Sequence, residues 1–78
     1  MDLKAEVLDV ICKTLDISED ELKDGQKLYD SIGVDSTEMV EVVVTLNKHF
    51  GIKIETSEIT KFSTPEEVIS VIEKKKQQ

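Results

Sequence analysis

The sequence predicts an all-α four-helix bundle, with three longer helices, one short helix and a long loop between helices one and two. Three observations predict it. Apolar residues recur at helical spacing in three separate segments, capping residues bracket those segments, and the one alternating stretch, Ile52-Lys53-Ile54, has no second strand to pair with. At 78 residues the chain suffices for a single domain, 1–78, built on one modest core.

The first helix is marked by Leu3, Val7, Val10, Ile11 and Leu15, which share a face, with Asp2 as N-cap. It gives way at Asp16-Ile17-Ser18. Residues 16–35 then hold Gly25, Gly33 and seven acids among scattered apolar side chains. A connection of about 20 residues in so small a domain needs local structure or a function of its own. Ser18 and Glu21 form an S-x-x-E capping box that predicts one turn ending near Leu22, and Leu28, Tyr29 and Ile32 are expected to anchor the remainder to the core.

The second helix is predicted from Asp35 or Ser36 to Phe50, with Gly51 as its stop. Asp35 is the expected N-cap, and Glu38 completes an acidic first turn at the positive end of the helix dipole. Met39, Val42, Val43, Leu46 and Phe50 form the expected core face. Val40 and Val44 fall in line with Ser36 at i, i+4 and i+8, beside Thr37, Glu41 and Lys48. Single exposed valines are ordinary on any surface; their alignment below a serine at a helix start makes them a docking stripe.

After Gly51 the sequence predicts an extended link and a short helical turn near Thr56–Lys61. The last helix is bounded by Thr64 as N-cap, Pro65 at the first helical position and Glu67 closing a capping box, with Lys74, Lys75 and Lys76 at the negative end of the dipole. Val68, Ile69 and Ile72 are its core residues. The final Lys76-Gln77-Gln78 is expected to fray.

Charge narrows the function. Net charge is −7, and residues 1–41 hold four Lys against twelve acids while residues 42–78 hold six Lys against five. An acidic first half argues against nucleic acid, whose phosphates demand a basic face, and favours a partner with a positive patch, although acidity alone also serves solubility. No run approaches the roughly 20 apolar residues that span a bilayer. The opening Met1-Asp2-Leu3-Lys4-Ala5-Glu6 puts acids where a secretory signal carries positive charge, so a cytoplasmic location is expected; a monomer is the separate expectation for the chain's oligomeric state.

Few residues offer chemistry. Cys12 falls on the apolar side of the first helix and reads as a core thiol. Cys12 and His49 lack further ligands at metal-binding spacing, and a calcium loop starting at Asp20 fails with Leu22 at its third position and Ser31 at its twelfth. His49 lies at the far end of the second helix from Ser36, and no nucleophile stands with an evident base, so no catalytic residue is assigned. What remains is Gly33-Val34-Asp35-Ser36, a glycine turn that delivers a serine hydroxyl to a helix start, a place suited to phosphate. Alone, such an Asp-Ser pair is an ordinary helix cap.

The wider pattern is more specific. Leu28-Tyr29-Asp30-Ser31-Ile32-Gly33-Val34-Asp35-Ser36, then Phe50-Gly51-Ile52 with Ile54, then Thr64-Pro65 before a last helix, strongly resembles the acyl carrier protein family over nearly the whole chain. The family's G-x-D-S motif matches Gly33, Asp35 and Ser36. The resemblance implies that a separate phosphopantetheinyl transferase places 4′-phosphopantetheine from coenzyme A on Ser36. It implies a non-catalytic carrier of acyl cargo as thioesters, in fatty acid, lipid or polyketide-type biosynthesis, and a bundle whose interior opens to shelter an acyl chain. Partner acyl-transferring, ligase or synthase enzymes with basic docking patches would meet Asp35, Glu38 and Glu41. Asp30, Asp35 and Glu38 stand where some relatives bind a divalent cation, but without a complete ligand set.

Two departures from the family pattern bear on partners. Thr37 stands where leucine is usual after the serine, and Asn47-Lys48-His49 replaces a glutamate run. These changes point to a specialised or secondary carrier with its own enzyme set, in which Thr37 and Lys48 set partner choice; the plain alternative for Lys48 and His49 is a solvated helix end favoured by the dipole. Two other functions stay open from residues alone: a peptidyl or aminoacyl carrier on the same architecture, and an unmodified interaction module that grips a partner helix with Val40 and Val44.

Overall fold

In the computed structural model, which describes residues 2–77, each long helix begins at a side chain that satisfies its first amides. The α1 helix (Leu3–Leu15) is capped by Asp2, whose carboxylate accepts the Lys4 N–H at 3.3 Å. It stops at Asp16 in the left-handed region (φ 56°), a conformation that only glycine and short polar residues visit readily. The α2 helix (Leu28–Ile32) is short, α3 (Ser36–Phe50) is the longest, and α4 (Pro65–Lys76) closes the chain. In α4 the Thr64 hydroxyl accepts the Glu67 N–H at 3.2 Å while the Glu67 carboxylate accepts the Thr64 N–H at 2.8 Å. No strand occurs among the described residues. Of the segment expected to fray, Lys76 ends α4, Gln77 caps it, and Gln78 lies outside the described residues.

One buried cluster joins the elements. It takes Val7, Val10, Ile11 and Cys12 from α1, Met39, Val42, Val43 and Leu46 from α3, Val68 and Ile72 from α4, and Leu28 from α2. The connections contribute Leu22, Val34, Ile54 and Ile59. Packing α1 chiefly against α3 covers the stripes that periodicity marks out, with Leu3, Leu15, Phe50 and Ile69 half-buried at the margins. Each fully buried Val, Leu or Ile contributes about 1.5–3 kcal/mol. The surface pairs Asp9–Lys13 at 3.1 Å and Glu58–Lys75 at 3.0 Å contribute about 0–1 kcal/mol each, so apolar burial, not ion pairing, holds the bundle.

The long connection between α1 and α3 is structured. Ser18 and Glu21 close a 3₁₀ turn (Glu19–Glu21) in which the Ser18 N–H donates to the Glu21 carboxylate at 2.9 Å, and Leu22 then drops into the core. Further along, Gly25 donates its N–H to the Glu66 carboxylate at 2.9 Å, tying the loop to the start of α4. The short helix of the bundle is α2, inside this connection. The expected helical turn near 56–61 is instead two separate turns. In the first, the Glu58 N–H donates to the Glu55 carbonyl at 2.9 Å and the Glu55 N–H to the Glu58 carboxylate at 2.8 Å; in the second, the Ser63 N–H reaches the Thr60 carbonyl at 3.0 Å. Between them Ile59 turns inward to near-complete burial. Thr56, Ser57 and Thr60 are poor helix interiors because their hydroxyls compete for nearby backbone groups. The carbonyls of Lys61 and Ser63 are also taken, accepting the Tyr29 N–H at 2.8 Å and the Leu28 N–H at 2.9 Å, and these bonds cap α2 in place of a side chain.

Tyr29 does not anchor the loop to the core. Leu28 and Ile32 are four residues apart and share the inward face of α2, which places Tyr29 a quarter-turn away at 49% exposure.

Candidate functional site

Three residues set the position of Ser36. Gly33 ends α2 in the left-handed region (φ 65°), its N–H donating to the Tyr29 carbonyl at 3.0 Å. A side chain there would cost about 1–2 kcal/mol in backbone strain. Val34 then plugs the core at 2% exposure, and Asp35 caps α3. The direction of α3 is thus fixed by a buried side chain immediately before the cap, and Ser36 emerges as the first helical residue, exposed to solvent.

The cap is reciprocal. Asp35 Oδ1 accepts the Glu38 N–H at 2.8 Å, and Glu38 Oε1 accepts the Asp35 N–H at 3.1 Å. Both carboxylates are held close to Ser36 in the chain, each with one oxygen accepting a backbone amide. The amides of Ser36 and Thr37, at the open end of the helix, find no acceptor among the described residues. An exposed hydroxyl next to free N–H groups at the positive end of a dipole fits a phosphate ester.

A groove of about 380 Å³ opens beside the hydroxyl, lined by Ser36, Met39 and Val40 on one side and Thr56, Ile59, Thr60, Lys61 and Phe62 on the other. Its far wall is the pair of turns after α3. Sequence reasoning did not bring that wall to the site; the one available signal was Phe62, an aromatic in an otherwise polar stretch. Phe62 is 55% exposed and packs against Tyr29 with ring centroids 6.0 Å apart. The Lys61 ammonium stands 5.1 Å from the Tyr29 ring centre and 5.4 Å from that of Phe62, with Lys27 over Phe62 at 5.9 Å. Such contacts contribute about 0.5–1 kcal/mol each at exposed sites.

The residues expected to meet partners lie on one outer face. Thr37, Glu41 and Lys48 are exposed, Glu38 is half-exposed, and Val40 and Val44 show 46% and 44% of their surface, the stripe that their spacing predicts. His49 turns away from it: its Nε2 lies 2.8 Å from Glu6 on α1. Asn47 turns inward, toward Ile54. Cys12 is 7% exposed, and burial first, then the negative charges of Glu19, Asp9 and Glu21, push its thiol pKa up. Asp30 and Asp35 are exposed, and no group of three or more His, Cys, Asp or Glu side chains among the described residues is arranged to hold a metal ion. No helix of the described residues is long and apolar enough to cross a membrane.

Comparison with known proteins agrees with this geometry. Residues 5–72 match the family model described as a phosphopantetheine attachment site. The chain is 36% identical over 73 residues to an acyl carrier protein of Campylobacter hominis, covering 94% of this chain and 92% of that one. It is 32% identical over 71 residues to an acyl carrier protein of Thermotoga maritima, covering 91% and 88%. A third, from Chloroherpeton thalassium, is 32% identical over 76 residues, covering 96% and 95%. With the family model spanning nearly all of the helical core and the relatives aligned almost end to end, the chain belongs to the acyl carrier protein family, whose members carry acyl groups in biosynthesis on a covalently attached 4′-phosphopantetheine arm.

Proposed function

We propose that Ser36 Oγ is the point of attachment and that residues 1–78 form one carrier domain, a cytoplasmic monomer without catalytic activity of its own. The single observation that carries this reading is the placement of an exposed hydroxyl as the first residue of α3, beside unpaired amides and at the edge of a groove. Ser36 Oγ forms the new bond to phosphorus, the pyrophosphate P–O bond of coenzyme A breaks, and the nucleotide leaves. The hydroxyl proton passes to a base in the complex with the phosphopantetheinyl transferase, while Asp35 and Glu38 hold the cap of α3. When bound, the arm supplies a terminal thiol that holds cargo as a thioester.

Gly33 and Asp35 act as positioning residues, one turning the chain and the other starting the helix. Partners with basic patches are steered by Asp35, Glu38 and Glu41, and grip Val40 and Val44. Steering of this kind is fast and salt-sensitive rather than tight. Thr37 and Lys48, exposed on the same helix, adapt that face to a specialised enzyme set; Thr37→Leu with Lys48→Glu should raise turnover by a standard fatty-acid ketosynthase, and unchanged turnover would count against the assignment.

Intact mass after co-expression with a broad-specificity phosphopantetheinyl transferase tests the attachment. One added arm is expected, absent in Ser36→Ala. A bare polypeptide mass for the folded parent would return the chain to the class of unmodified interaction modules.

A further inference from the structure

The groove beside Ser36 contains one charged side chain, and in a protein with 17 acids that side chain is a cation. Three of the ten lysines, Lys4, Lys13 and Lys75, pair with a carboxylate, and Lys61 is among the seven that pair with none among the described residues; it is the one of them that lines the groove. Its ammonium stands instead over the rings of Tyr29 and Phe62, to one side of the pair. Its backbone is equally fixed, since the Lys61 carbonyl accepts the Tyr29 N–H. Ring faces hold a cation in place without neutralising it, and they bind it more weakly than a charge-assisted hydrogen bond would. The groove wall around it carries the hydroxyl groups of Thr56 and Thr60 and no carboxylate. This wall offers donors and positive charge, the complement of an oxyanion.

Ser36 lines the same groove, so whatever is joined to it is delivered there at high effective concentration. We propose that Lys61 is a positioning and specificity residue that receives an oxyanion brought into the groove on the Ser36-linked arm. The inference rests on attachment at Ser36. Two sources share this chemistry: the phosphodiester that joins the arm to the serine, and a carboxylate borne by the cargo. Lys61 would hold the arm across the groove in the first case and select acidic acyl groups in the second.

Four forms of the full chain separate the sources: unmodified, carrying the free-thiol arm, butyryl-loaded and succinyl-loaded. The loaded forms are made with a phosphopantetheinyl transferase and the corresponding coenzyme A thioesters, and intact mass verifies each. Failure to load overturns both the attachment and this inference, and is visible before any other reading is taken. With loading secured, the side-chain NMR signal of Lys61 and the thermal midpoint are compared. A shift of that signal with a rise in midpoint between the unmodified and free-thiol forms assigns the phosphodiester; the same change between butyryl and succinyl forms assigns the cargo carboxylate. Either rise should be lost in Lys61→Met, which keeps the apolar stem over the rings, and retained in Lys61→Arg. A Lys61 signal unchanged across all four forms, or a rise that survives Lys61→Met, overturns the proposal.

Discussion

Asn47 holds Ile54 the way a neighbouring strand would. Its Oδ1 accepts the Ile54 N–H at 2.7 Å and its Nδ2 donates to the Ile54 carbonyl at 3.2 Å, so a side chain on α3 satisfies both backbone groups of a residue buried at 3% exposure. This explains how Ile54 is held in the core with no strand beside it among the described residues. Replacing Asn47 by Leu should destabilise the fold by about 1–3 kcal/mol, because it strands two polar groups beside the core. Urea unfolding monitored by circular dichroism checks this: the midpoint should fall with the slope unchanged. A shift no larger than that of an exposed substitution such as Thr37→Ala would show the clamp to be dispensable.

Asp35 caps α3, and the docking role proposed for its charge separates from the cap by substitution. Asn caps a helix as well as Asp does, so Asp35→Asn should leave stability within about 0.5 kcal/mol of the parent, whereas Asp35→Ala should cost about 1 kcal/mol. Both remove the charge. Both should therefore lower the kcat/KM of modification by a phosphopantetheinyl transferase at low salt and flatten its salt dependence. A rate that follows the cap rather than the charge would remove Asp35 from the docking surface.

Glu66 makes stability depend on pH. The hydrogen bond from Gly25 is the largest cause holding its carboxyl below the ordinary value of 4.5. The folded pKa lies under the unfolded one, so this contribution is present above pH 4.5 and is lost as pH falls through the folded value. Thermal melts of the parent and Glu66→Gln should differ most at neutral pH and converge in acid. Glu58, lowered chiefly by the Glu55 N–H and then by Lys75, should behave alike. Parallel curves at all pH values would contradict the linkage.

A carrier of thioesters is at risk from any second reactive thiol, which would accept the cargo by exchange. Cys12 is protected by burial and by a raised pKa that keeps it protonated. If the core opens only on unfolding, and stability is on the order of 3–5 kcal/mol, iodoacetamide should modify Cys12 at least about 100-fold more slowly in the folded protein than in urea. Mass spectrometry after timed quenching reads the rate. Comparable rates in the two conditions would show that the thiol is open to solvent.

The features legible in the sequence are those written locally. Asp2, Ser18 with Glu21, Asp35, Gly51, and Thr64 with Glu67 all mark helix or turn ends, because a cap is decided within a few residues of itself. The face of α3 followed from periodicity, and with it the Val40–Val44 stripe. What escaped needs distant partners. Tyr29 reads as an anchor until the five-residue length of α2 is known, and Asn47 reads as a change on the partner face until Ile54 folds back over it. The far wall of the groove is assembled by turns whose carbonyls are claimed from across the molecule by Tyr29 and Leu28, a relation that no local pattern records.

The reciprocal cap at Asp35 and Glu38 bears on how the protein is met by others. Acids on a protein surface usually sample several rotamers, and freezing them on association opposes binding. Here two of the acids nearest the serine surrendered that freedom when α3 formed. A basic partner that docks there, as proposed for Asp35 and Glu38, would find both carboxylates already held and would lose less side-chain freedom on binding them.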